Sequence, residues 1–133
     1  MDPEIRMEFH IIGENFSPEE FTKLINISPT RVWHVGDSVN ESKLLRKKNA
    51  WCFSKKVNNE SLDINDYISP IVDELLPKRK IISSFCATQD LYLEISCVIY
   101  IINQTPILHL DPELLTKLHK LNVHVDFDII LTE

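Results

Sequence analysis

His124, Asp126 and Asp128 stand at every second position of "VHVDFDIIL", and Glu8 and His10 do the same in "RMEFHII". Imidazole and carboxylate groups at that spacing can ligate a divalent cation or exchange protons, provided that neighbouring strands bring them to one face. Pairing of the first strand with the last would do so. The same alternation is also what the wet face of any antiparallel strand displays. A two-residue period is therefore a weak signal, and no nucleophile, glycine nest or further carboxylate pair accompanies it. No catalytic, cofactor-binding or metal-ligating residue is assigned, and these polar residues stand as a subordinate cluster.

Arg31, Trp33, His34 and Asp37 lie in "TRVWHVGD", and Trp51 follows in "AWCFS". Large aromatics ordinarily cover the edges of a core. Trp and Arg are also the residues most often found anchoring protein interfaces, so these residues are the candidates for binding a partner. The run Lys43, Arg46, Lys47 and Lys48 reads as a solvated loop.

The elements that must position these groups follow from hydrophobic period. Ile5, Met7, Phe9 and Ile11 alternate with polar residues, as do Val123, Val125, Phe127, Ile129 and Leu131, so a strand is expected at each end of the chain. "TRVWHVGD" and "AWCFSKK" read as short strands, joined by an exposed excursion with room for a helical turn. Ile64 to Leu76 carries apolar residues at helical spacing and Pro77 breaks it, after which "KRKIISSFCA" continues as helix. "LYLEISCVIYII" is the most apolar strand and is expected to be central. Asn103 to Pro106 reads as a hairpin connection to a strand at "ILHL".

"NFSPEEFTKLI" and "HLDPELLTKLH" are a near repeat. Ser17 or Asp111 can cap backbone N–H groups, with proline at the first helical position. Phe16 and Leu110 are placed to staple each entry. Capping rules demand most of this likeness but not the shared Thr-Lys-Leu, which leaves an internal βαβ duplication open. The order of elements predicts an α+β fold, a largely antiparallel sheet with helices on one face, of ferredoxin-like kind.

At 133 residues and 44% hydrophobic content, the chain suits one α+β domain over residues 1–133. Its two glycines leave no glycine-rich phosphate loop. A net charge of −6 argues against nucleic acid and favours a basic partner. Three cysteines without C-x-x-C spacing fit a reduced, cytoplasmic setting. The start "MDPEIRMEFH" has no leader pattern, and the apolar run from Cys97 to Ile102 is too short to span a bilayer, so no membrane association is expected.

"FHIIGENFSPEEFTKLINISPTRVWHVGD", "AWCFS" and "LHLDPELLTKLHKLNVHVDFDI" together resemble a bacterial family known as domain of unknown function 4279. The likeness spans nearly the whole chain, which departs from the family's pattern in the basic excursion Lys43 to Lys48 and in ending "DIILTE". The resemblance implies the fold and carries over no catalytic residue.

The expected function is a cytosolic protein-interaction module of unestablished activity. An immunity-type protein that neutralises a basic toxin is the preferred instance, with complementary charge speeding association. The alternative is a small enzyme or a metal- or ligand-binding domain using the polar sheet face.

Overall fold

Alternation of apolar and polar residues builds β1 (Glu4–Gly13) in the computed structural model, which describes residues 4–57 and 61–131. α1 (Pro18–Ile25) starts as its sequence dictates, the Ser17 hydroxyl accepting from the Glu20 N–H at 3.1 Å with Pro18 at the first helical position. α4 (Pro112–Leu121) starts the same way, the Asp111 carboxylate accepting from the Leu114 N–H at 2.8 Å. The likeness runs further: Thr22 and Thr116 each donate to the carbonyl of the opening proline, and each helix ends on a left-handed asparagine, Asn26 or Asn122.

Between these helices lie β2 (Arg31–Trp33), β3 (Asn49–Phe53), α2 (Asn65–Leu75), a 3-10 turn at Leu76–Lys78, α3 (Arg79–Ala87) and β4 (Tyr92–Ile101). β5 (His124–Leu131) follows α4. The strands form one sheet in the order β2-β3-β1-β4-β5, antiparallel throughout except between β4 and β5. β3 lies between β1 and β2, so β1–α1–β2 is a split crossover, whereas α4 joins strands that touch. The repeat is thus a likeness of the helices rather than of the strands they join.

Phe9 and Ile11 of β1, Trp51 and Phe53 of β3, and Leu93, Ile95, Cys97 and Ile99 of β4 share one face, buried against the helices. Phe21 and Ile25 of α1, Ile68, Ile71, Val72 and Leu75 of α2, Ile82 of α3 and Leu114, Leu118 and Leu121 of α4 complete this core. The fold is α+β, with helices on one face of a mostly antiparallel sheet, and β4 is interior as its apolar character requires. No helix among the described residues is long and apolar enough to cross a membrane.

Three local expectations are corrected. "ILHL" forms no strand and no hairpin precedes it. Ile107 makes a lone bridge to Asp63, and the next stretch is held by the buried Asn65 amide, which donates to the His109 carbonyl at 2.7 Å and accepts from the Asp111 N–H at 3.2 Å. A side chain at the start of α2 thereby does what a sheet ladder was expected to do. The excursion after β2 has no helical turn; Gly36, Asp37 and Val39 bond to Arg46 and Leu44 in a tight backbone ladder, with Gly36 at φ +94°. β1 and β5 do not pair, because β4 separates them.

Candidate functional site

The sheet face opposite the helices carries the even-numbered residues of β1, β3, β4 and β5 and the odd ones of β2. Cross-strand register sets Arg31, Cys52, His10, Glu94 and His124 in one row and Glu8, Ser96 and Asp126 in the next. The polar cluster expected from the end strands therefore does share a face, but through β4. Glu94 is the link the sequence reading missed. A single carboxylate in the middle of the most apolar strand was the available signal.

His10 is the centre. Its Nε2 lies 2.6 Å from a Glu8 carboxylate oxygen and its Nδ1 lies 2.8 Å from one of Glu94. Ionised carboxylates only accept, so both ring nitrogens must donate and the ring is an imidazolium. Burial opposes that charge, but the contacts with Cys52, Glu8 and Glu94 more than offset it, and His10 is pushed up to about 10. Glu8 feels a burial penalty that His10 and Arg31 overcome, holding it below the usual carboxylate range; the Arg31 guanidinium sits 2.7 Å away. Burial and the neighbouring Asp126 raise Glu94, while the Glu94 and Tyr92 hydrogen bonds lower Asp126. The Tyr92 hydroxyl donates to Asp126 at 2.9 Å. The Tyr92 ring in turn stacks on His124 at 4.4 Å. Asp128 stays exposed further along β5.

Trp33 closes the other end of the face. The Arg31 and Arg46 guanidinium carbons lie 4.9 and 3.9 Å from its ring centroid, and the His10 ring meets it edge-on at 6.1 Å. Arg46 comes from the basic excursion. Its Nε is buried without a hydrogen-bond partner, and among the described residues it has no ion pair. Leu44 and Leu45, beside it, are exposed.

The remaining partner-binding candidates separate. His34 and Asp37 belong to the turn after β2, where the His34 N–H donates to the Asp37 carboxylate at 2.7 Å and the His34 ring bonds to Glu19 of α1 at 2.6 Å. Trp51 is corrected: it is fully buried on the helix side, its indole N–H donating to the Thr22 hydroxyl at 3.0 Å and its ring edge-on to Phe21 at 4.8 Å. Ile11 pairs with it in register, which turns it inward, so it has no access to a partner.

Glu8, His10 and Cys52 bring ligand atoms within 4.8 Å of one another, a spacing a metal ion could use. The donor set fits poorly: Arg31 already neutralises Glu8, and a ligating imidazole must first lose its proton. The thiols are also unsuited to nucleophilic work. Cys52 is fully buried, and burial pushes Cys86 up to about 11 and Cys97 up to about 12. Beside this row, Arg6, Arg31, Lys55, Lys56 and His10 line a cavity of about 660 Å³ together with Glu8, Tyr67 and Tyr100.

No curated protein and no solved structure matches the chain. A family model does, over residues 3–132, so that the chain, with this sheet and its uncovered charged face, belongs to the family described as Domain of unknown function (DUF4279).

Proposed function

We propose that the protein is a non-catalytic binding module that docks a basic protein on the uncovered face of its sheet, a toxin-neutralising protein being the favoured instance. The observation that carries this reading is that the ionisable groups at the centre of the face are consumed by one another. His10 has no free nitrogen to take a proton, Glu8 is held by Arg31, and Asp126 is held by Tyr92 and Glu94. Such a row is stiff and charged but chemically satisfied, which suits recognition better than acid–base work. Its two halves divide the labour. Asp126 and Asp128, exposed on β5, offer a basic partner its electrostatic target, and the Arg31–Trp33–Arg46 stack offers residues of the kind that anchor interfaces.

The test is association of the purified protein with the basic protein it captures from lysate of its source cell, measured by stopped flow across a salt series. Association should slow as salt rises, and Asp128→Lys should slow it further. Trp33→Ala should act on dissociation, weakening the complex by about 2 kcal/mol. Salt-independent association, or a folded Trp33→Ala variant of full affinity, would remove the proposal's support.

A second reading has its own observation, the cavity lined by Arg6, Arg31, Lys55 and Lys56. Its volume and its tyrosines suit a small organic anion. Citrate or inorganic phosphate should then raise the melting temperature of wild type but not of Lys56→Ala.

A further inference from the structure

We propose that β5 is a docking edge that takes up an extended, lysine-bearing segment of a partner protein as an added strand. β5 pairs with β4 along one side only, so its outer row of backbone N–H and C=O groups has no ladder partner among the described residues. Sheet edges are normally blunted by shortness, charged side chains and lysine above all, proline or a bulge. The opposite edge obeys that rule, since β2 is 3 residues long. β5 is guarded differently: it runs for 8 residues, "HVDFDIIL", without lysine, proline or a bulge, and carries two aspartates, charges that repel an acidic strand but pair with a cationic one.

Both faces of this edge specify what would lie against it. On the helix side, Phe127, Ile129 and Leu131 are 46, 45 and 77% exposed, because the helices pack over β1, β3 and β4 and leave this strip uncovered. On the open side stand Asp126 and Asp128. A strand laid alongside would add backbone hydrogen bonds, cover the apolar row with its own apolar side chains, and set every other residue against the aspartates. Lysine or arginine at those alternate positions completes the pairing. A second copy of the chain fits worse. Two-fold antiparallel pairing centred on Asp126, Phe127 or Asp128 places aspartates directly opposite one another, which is destabilising.

The inference deepens the binding-module reading by naming the chemistry of the partner segment, and it uses the edge opposite Trp33, so the two can fail separately. The probe is a short fluorescein-labelled peptide alternating lysine and valine, followed by anisotropy. Three controls accompany it: the glutamate–valine peptide, a lysine–valine peptide methylated on alternate backbone nitrogens, and sedimentation of the protein alone. The lysine–valine peptide should bind saturably and both control peptides should not. Phe127→Lys, at an exposed position, should weaken binding by about tenfold or more. Asp128→Lys should shift preference toward the glutamate peptide, and Lys23→Ala, at an exposed position of α1, should bind as wild type does. Absence of saturable binding, equal binding of the methylated peptide, loss of peptide binding in folded Lys23→Ala, or self-association strengthened by Asp128→Lys would each overturn the proposal.

Discussion

A histidine whose two ring nitrogens both meet carboxylates ties the stability of the sheet to pH. The folded-state value of His10, about 10, lies above its ordinary 6.5, so its contribution is present in full below that ordinary value and is lost as pH rises through about 10. Glu8, held low by His10 and Arg31 against the penalty of burial, works in the opposite sense: its contribution is present above the ordinary carboxylate range and lost as acid protonates it. The melting midpoint of the wild type should therefore fall from neutral pH toward pH 10, and His10→Ala should flatten that slope. At neutral pH the same substitution should cost about 3 kcal/mol or more, since it strands two half-buried carboxylates. The tryptophans should differ as sharply as their surroundings do. Trp51→Ala should cost about 4 kcal/mol by opening a cavity between Phe9, Phe21 and Phe53, and Trp33→Ala less than about 1 kcal/mol. Denaturant titrations of the two variants check this. Residue type alone could not tell them apart, because β3 is buried on both sides and only its register with β1 decides that Trp51 turns inward.

At the level of elements, what was legible in the sequence was whatever depends on neighbours in the chain. The caps at Ser17 and Asp111, the prolines behind them and the two-residue period of β1 and β4 are local properties, and each is found as the residues dictate. Ser17→Ala and Asp111→Ala should each lower stability by about 1 kcal/mol, and an unchanged unfolding midpoint in either would contradict the assigned cap. What was illegible depended on distant partners. "ILHL" is too short to declare a period, and the bonds that fix its neighbourhood come from Asn65, far back in the chain. Glu94 owes its role to β1 and β5, which lie on either side of its strand. Gly13 shows the same dependence, since a Cβ there would run into the Leu91 side chain and lie 3.2 Å from the Asp90 carbonyl. Gly13→Ala should accordingly lower the melting temperature, by an amount the flexibility of Leu91 decides.

For the whole molecule, the distribution of charge matters more than its sum. The net charge is −6, yet the open face is acidic toward β5 and cationic around Trp33, so the basic partner proposed above would be oriented as well as attracted by it. The strand order has a consequence of a different kind, in the time the chain takes to assemble. β1 precedes the other described elements along the chain, but it ends up interior, and one of its flanking strands is β4, in the register Glu4 to Tyr100 and Ile12 to Tyr92. Phe9 and Ile11 must wait for most of the chain to be synthesised before that side of the sheet can close. Such distant pairings make loop closure costly before any contact repays it, which places refolding on the millisecond-to-second scale of sheet proteins rather than the microseconds of helical bundles. Stopped-flow fluorescence of Trp51, whose burial reports core formation, measures it directly; microsecond refolding would mean that β1 is not the strand that waits.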